Sequence, residues 1–367
     1  MHGMSIIPHQ PCYKHPGPQY ISLMKPLLPL LLSLLFGACS GSPPQPLSPA
    51  FFCWETVLNV PAEDRALLDS LGVNKLYVKV LDIGRNPSTD EIEPYSITDM
   101  SDSVLLRGRS IVPTVFITNA VFKNISEEQI SWLSGKVAPF LARWGGGGLL
   151  DCDWTPSTRD AFFLFLKKLR ARLPPGTRME ATIRLHQYKF PRQTGVPPVD
   201  RGMLMFYNTG DVDEEAERNT VFHPDDALKY IVGAPQKYPL PLDLALPLFS
   251  WGIVYREGEL WKIIPGPLPL DEMRRSGKYT ETPGGEHFAA KLWELREGTF
   301  LGGHYLRPGD RLRVSATTPE GLFKSAEIAQ KLDLANDATL AFFHLGIARP
   351  EHFSAQLLDS VCKTVRY

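Results

Sequence analysis

Gly148-Leu149-Leu150-Asp151-Cys152-Asp153-Trp154-Thr155 is the stretch on which the reading of this chain turns. A short apolar run ends in two aspartates two residues apart. In a β-strand, residues i and i+2 point to the same face, so Asp151 and Asp153 project side by side. Two carboxylates on one face repel, and burial raises the cost of ionising both. A chain carries such a pair most readily where it works: acid–base chemistry, metal binding or recognition of sugar hydroxyls. The competing reading gives one aspartate to a cap of the next helix and the other to water. Pro156-Ser157-Thr158 offers that helix a different cap.

Outward from this strand, apolar runs alternate with helical patterns. Three strands are expected before it: 51–55, 75–82, and 111–118 with Pro113 as a weak point. With 148–153 as the fourth, 179–186, 202–208, 242–251 and 339–345 follow. Helices are expected over 62–71, ended by Gly72, over 126–144, opened by Ser126-Glu127-Glu128-Gln129, and over 157–173 and 225–232. Eight apolar strands with helices between most of them predict an α/β chain folded as a (β/α)8 TIM-type barrel. The proline-rich connection 187–201 is expected to lack a proper helix. A small insertion is expected between the seventh and eighth strands, at about 252–335. There Glu257-Gly258 between two apolar runs signals a hairpin, and 311–315 reads as another strand. A doubly wound open sheet is the alternative, weakened by the lack of an early glycine-rich phosphate loop.

The first residues read as export. Met24-Lys25 precedes a short, proline-broken apolar run to Phe36, then Gly37-Ala38-Cys39-Ser40. That is a basic start, an apolar centre and small residues before a cleavage point. The run is too short for a spanning helix. The small-small-Cys ending resembles a bacterial lipobox, which implies lipidation of Cys39, although Phe36 stands where leucine is usual. The organisation expected is a gene-start artefact at 1–23, a lipoprotein signal at 24–38, a flexible tether at 39–49 and the barrel at 50–367. The location expected is the cell envelope, membrane-anchored on its periplasmic or outer-membrane side. Cys53, Cys152 and Cys362 sit in apolar contexts at no metal-like spacing and read as buried small hydrophobes. A formal net charge of −1 removes the electrostatic case for nucleic acid.

Barrel chemistry gathers where the strands end. These ends supply Trp54 and Glu55, Asp82, Asp151 and Asp153, Arg184, His186 and Gln187, Tyr207 and Asn208, Trp251 and His344. Acids and amides bond hydroxyls, and flat rings stack on the apolar faces of pyranoses, so a glycan is the expected partner. No cofactor is expected. A divalent metal held by Asp151, Asp153 and His186 or His344 is the weakest reading, because the spacing matches no recognised signature. Arg184 reads equally as a structural ion-pair partner of the aspartates. Trp251 and Trp261 read equally as core of the insertion.

The segment Leu149–Thr155 resembles the fourth-strand motif of chitinase-type (family 18) glycoside hydrolases, and Met205-Phe206-Tyr207-Asn208 is similar to their sixth-strand motif. The whole chain also looks like bacterial lipoproteins with barrel domains. Aligned on Asp151, Asp153 and Trp154, the family's catalytic Glu falls on Thr155, and the motif's leading Asp falls in the glycine run. The resemblance implies a barrel that acts on glycans by protonating the leaving oxygen. Thr155 cannot supply that proton near neutral pH. Two functions of different class remain. One is a lipid-anchored glycoside hydrolase using Asp153 and Glu55, with Asp151 tuning Asp153. The other is a catalytically inactive sugar-binding lipoprotein.

Overall fold

The computed structural model describes residues 46–99, 107–145, 147–215, 218–282, 288–346 and 353–365. The export segment, Cys39 and most of the tether lie outside these residues. No helix among the described residues is long and apolar enough to cross a membrane.

The strands in chain order begin with β1 (Ser48–Cys53), β2 (Lys75–Arg85), β3 (Ile92–Ile97), β4 (Ser110–Ile117), β5 (Gly148–Asp151), β6 (Met179–Arg184), β7 (Arg201–Met205) and β8 (Leu242–Pro247). After the insertion comes β16 (Thr339–Phe343). Eight of them pair in parallel in the order β1-β16-β8-β7-β6-β5-β4-β2, and β1 pairs with β2 to close the circle. This is the closed (β/α)8 barrel that the strand pattern predicts. β3 was not anticipated: it folds back antiparallel on the second half of β2, where other units carry a helix. Pro94 and its exposed neighbours kept it from reading as a strand.

Helices α1 (Ala62–Ser70), α2 (Glu127–Ala142), α3 (Arg159–Arg170) and α6 (Pro224–Ile231) cross between strands as expected. The proline-rich connection holds only two short helices, α4 (Leu185–Lys189) and α5 (Pro191–Thr194). Ser126 opens α2 with a capping box: its hydroxyl accepts from the Gln129 amide, and the Gln129 side chain accepts from the Ser126 amide. Along α3, Phe162, Phe165, Leu166 and Leu169 recur at helical spacing and are fully buried against the barrel. Trp154 joins this outer layer, stacked on Phe162 at 5.4 Å with its Nε1 donating to the Thr194 carbonyl at 2.9 Å.

Two apolar layers follow from the strand period of two. One set of side chains fills the shell between barrel and helices. The alternate set, including Phe52, Tyr77, Leu149, Met203, Met205 and Ala341, fills the lumen. Polar groups close the bottom: Arg201 donates to Asp243 at 2.7 Å, and the Thr339 amide donates to the same oxygen at 2.8 Å. The barrel is thus a packed core open only at its strand ends. Gly148 shows how tight the wall is: a Cβ there would lie 2.6 Å from the Pro113 carbonyl oxygen.

Between β8 and β16 the chain builds a second sheet. It comprises β9 (Ser250–Arg256), β10 (Glu259–Pro265), β11 (Tyr279–Glu281), β12 (Lys291–Leu295) and β15 (Arg311–Ala316), in the antiparallel order β10-β9-β15-β12-β11. Helix α7 (Leu270–Ser276) and the small hairpin β13 (Thr299–Leu301) and β14 (His304–Leu306) complete it. Glu257 and Gly258 turn the first hairpin with φ of 55° and 86°, the paired positive values of a type I′ turn. The expected seventh strand is split here, since β8 ends at Pro247 and β9 starts at Ser250. Helices α8 (Pro319–Ala329) and α9 (Ala355–Thr364) return to the barrel, where α8 packs on β8 and on α9.

The insertion is stitched to the loop after β7. Tyr255 donates to the Val212 carbonyl at 2.7 Å, Asn219 donates to the Ala316 carbonyl at 2.7 Å, and the Thr220 amide donates to Ser315 at 3.1 Å. At its base, Thr317 and Phe249 exchange hydrogen bonds: the Thr317 amide donates to the Phe249 carbonyl at 3.0 Å, and the Thr317 hydroxyl does so at 3.1 Å.

Candidate functional site at the barrel mouth

The strand ends enclose a cavity of about 280 Å³. Its polar floor comes from β5 and β6. Asp151 ends β5 with its side chain only 4% exposed, accepting from the Thr182 hydroxyl at 2.6 Å. Asp153, two residues on, reaches the opening and is 54% exposed. Arg184, at the end of β6, lies between them. Its Nε hydrogen-bonds Asp153 and its Nη2 is 3.5 Å from Asp151. Burial pushes the Asp151 carboxyl above its ordinary range; Arg184 offsets part of that, and the like charge of Asp153 adds to it. Burial works against the Arg184 charge, but the two carboxylates hold its pKa above the ordinary value.

Aromatic rings form the walls. Tyr207 follows β7 and stacks on Phe343 at 5.4 Å and 28°. Burial raises the pKa of its hydroxyl, which points to the Met205 sulfur at 3.2 Å. Trp54, just past β1, meets Phe343 edge-on at 5.2 Å and Phe116 at 6.1 Å. From below, the Lys79 ammonium lies 5.4 Å from the centre of the Trp54 ring. Phe249 and Trp251 form the side shared with the insertion, their rings 5.4 Å apart, and the Trp251 Nε1 donates to Thr220 at 3.0 Å. Pro265 and Gly266, at the end of β10, extend that wall. Asn208 lies at the rim with φ of 55°, a left-handed backbone that Asn tolerates better than most residues. His344 is 9% exposed, and its Nδ1 is 3.0 Å from the Leu345 carbonyl. Burial lowers its pKa.

Eight expected residues therefore share one cavity: Trp54, Asp151, Asp153, Arg184, Tyr207, Asn208, Trp251 and His344. Four others do not line it. Glu55 and Asp82 sit beside it. Burial raises the Glu55 carboxyl, opposed by Lys79, and its buried Oε1 accepts no hydrogen bond among the described residues. Asp82 accepts from Lys79 at 2.8 Å through one oxygen, while the other is buried without a donor. β6 stops at Arg184, so His186 and Gln187 ride on α4 instead of a strand. The turn carries His186 to the surface. It carries Gln187 into the interior, where it accepts from the Arg184 amide at 2.8 Å and donates to the Trp154 carbonyl at 3.0 Å. Gln187 thus fixes the corner that aims Arg184 and does not reach the opening.

Sequence reasoning missed Phe116, Phe249 and Phe343, because phenylalanine inside a strand reads as core. It also missed Lys79, a buried lysine whose only signal was its place in a strand of apolar residues. Thr155 lies in the turn that leads into α3. Its hydroxyl is 2.9 Å from that of Ser157 and 3.2 Å from that of Thr158, and Thr158 donates to Asn119 at 2.5 Å. No group of three His, Cys, Asp or Glu side chains among the described residues is placed to hold a metal ion. A wider cavity of about 440 Å³ opens past Thr209, but there Asp226 already pairs with Arg218 at 2.7 Å and with Lys229 at 2.6 Å. Those charges satisfy one another, which leaves the barrel mouth as the better site.

The fold is shared with solved structures of glycan-cleaving enzymes. A chitinase from Chromobacterium violaceum matches with a TM-score of 0.55 at 13% identity, over 87% of this chain and 98% of its own. The C-terminal domain of a putative chitinase from Desulfitobacterium hafniense matches at 0.54 and 12%, over 88% of this chain and all of that domain, 100%. The spore cortex-lytic enzyme SleL of Bacillus cereus matches at 0.52 and 13%, over 88% of this chain and 75% of that one. No family model and no curated sequence matches the chain. The likeness is one of fold: the chain has the (β/α)8 barrel of chitinase-like enzymes.

Proposed function

We propose that the barrel mouth binds a glycan and that this chain holds it without cleaving it by the chitinase route. One observation carries the reading. In the motif resemblance the family's acid falls on Thr155, and the Thr155 hydroxyl is engaged with Ser157 and Thr158 in the turn before α3. Protonating a glycosidic oxygen requires a group that gives up a proton near neutral pH, and a hydroxyl does not. Asp153 is a poor substitute, because its Oδ1 is already taken by the Arg184 guanidinium. What remains suits binding. Trp54, Tyr207 and Trp251 offer ring faces, Asp153 and Asn208 offer hydrogen-bonding groups at the opening, and about 280 Å³ is the small end of ligand cavities, suited to one sugar unit of a chain.

The hydrolase reading keeps one observation in its favour: burial raises the pKa of Glu55, and one of its oxygens has no partner among the described residues. A glycan array followed by product analysis on the hits separates the two. Binding with no product supports the binding protein. Products that vanish in Asp153→Asn would replace it with the hydrolase.

The same proposal includes a lipid anchor at Cys39 in the cell envelope, supported by the basic start, apolar run and Gly37-Ala38-Cys39 ending. Cys39→Ser is expected to move the protein to the aqueous phase in a detergent partition. Undiminished retention in the detergent phase would remove the anchor from the proposal.

A further inference from the structure

We infer that the sugar held in this mouth carries a free, protonated amine. The inference rests on the glycan reading above and names the ligand class within it. Its first support is the charge balance around the cavity. Asp151 and Asp153 line the cavity with two carboxylates against one lining cation among the described residues, Arg184, while beside the cavity Glu55 and Asp82 face Lys79. Both cations are already committed: Lys79 to Asp82 at 2.8 Å, and Arg184 to Asp151 and Asp153 together. Burial lowers the pKa of His344, which works against a positive charge there. The mouth therefore holds more carboxylates than cations, in a partly enclosed cavity where Coulomb attraction is stronger than in open water.

The second support is geometric. Asp153 is 54% exposed at the opening with Arg184 on its Oδ1, so a carboxylate, which accepts N–H donors, faces the space a ligand would fill. The third support is the ring lining. Trp54, Tyr207, Trp251 and Phe343 surround the opening. The negative face of an aromatic ring attracts ammonium groups, and Lys79 already lies over Trp54 in that way, 5.4 Å from its centre. Aromatic walls with carboxylates form an environment for a cation. An N-acetylated sugar offers one amide N–H and no charge, and a plain hexose offers hydroxyls alone. An ammonium offers three donors and the missing positive charge.

The test titrates the full chain by calorimetry with three linear tetramers: glucosamine, N-acetylglucosamine and glucose. At a pH of about 6 the amines of the glucosamine tetramer are largely protonated. The amine tetramer is expected to bind about tenfold tighter than either neutral tetramer. That gap is expected to narrow as salt rises from about 0.05 M to about 0.5 M. Asp153→Asn is expected to shrink the gap, and Glu55→Gln does the same should the first variant fold poorly. Equal binding of all three, or preference for the acetylated tetramer, would overturn the amine and leave the glycan reading standing. A wild-type chain that binds none of them would overturn both.

Discussion

Arg184→Met removes the cation that, among the described residues, serves both floor carboxylates, and its cost can be worked from the geometry. Asp153 is 54% exposed, so losing that pair is worth less than about 1 kcal/mol. Asp151 is different: its side chain is 4% exposed, and without Arg184 the partner left to it among the described residues is the Thr182 hydroxyl. Removing one partner of a buried pair costs about 3–5 kcal/mol. The 3.5 Å separation and the surviving hydroxyl place this case at the low end, about 3 kcal/mol near neutral pH. The deficit must also depend on pH. Burial already holds the Asp151 carboxyl above its ordinary range, and Arg184 is what opposes the rise. A carboxyl raised in the folded state keeps a proton that the unfolded chain has released, so stability falls as pH rises from the unfolded value towards the folded one. Below the unfolded value, about 3.9, the group is protonated in both states and the charge penalty is absent. Each further unit of rise in the variant adds about 1.4 kcal/mol of deficit above the folded value. Urea unfolding of wild type and variant at two pH values, one near 5 and one near neutrality, reads this directly. The deficit should be larger at the higher pH, and Arg184→Met with Asp151→Asn should recover most of it. A deficit that is equal at both pH values, or that the second substitution fails to relieve, refutes the claim that a buried Asp151 charge is what Arg184 stabilises.

The other expectations concern the scaffold. Phe165→Asp buries a charge in the α3 interface beside Phe122 and Phe162 and should cost several kcal/mol in chemical denaturation; a melting curve like that of wild type would mean the α3 face was misread. Gly148→Ala drives a Cβ to within 2.6 Å of the Pro113 carbonyl and 2.7 Å of Leu141, so about 1–3 kcal/mol of overpacking is expected, measured the same way. Burial raises the thiol pKa of all three described cysteines, with Cys53 pushed up to about 12. Peptide mapping after alkylation of the native protein at mildly alkaline pH should find Cys53, Cys152 and Cys362 unmodified; prompt labelling of Cys53 would contradict its burial at the end of β1.

The barrel was legible because its strands are covered on both faces. Burial on both sides writes continuous apolar runs such as Leu76-Tyr77-Val78 and Leu340-Ala341-Phe342, which need no periodicity to be seen. β3 and the three-residue strands β11, β13 and β14 were not legible, since each is short or exposed and carries mixed residues. The site was legible to the extent that strand ends were. Asp151, Arg184 and Tyr207 fall at those ends and converge. His186 and Gln187 did not, because nothing local distinguishes a sixth strand residue from the first turn of a helix. The side chain that decides the issue, Gln187 bonding the Arg184 amide, acts only once the corner has formed. The charge balance of the mouth was beyond reach of the sequence for the same reason. Lys79 counts toward it only because a shift of register between Lys79 and Leu81 brings Asp82 to the lysine's side.

The base of the insertion has one further consequence, for inheritance. β8 pairs directly with β16, so the barrel's ladder is complete without the five-stranded sheet. The chain leaves the barrel at Phe249 and returns at Thr317, and those two residues are bonded to each other. A segment whose ends meet can be exchanged by recombination without asking the host to bridge a gap. The two halves of the mouth therefore rest on different scaffolds. Asp151, Asp153, Arg184 and Tyr207 are held by the barrel's own strand ends, while Trp251, Pro265 and Gly266 travel with the transplantable piece. Exchanging that piece would reshape one side of the opening while the other stays where the barrel places it.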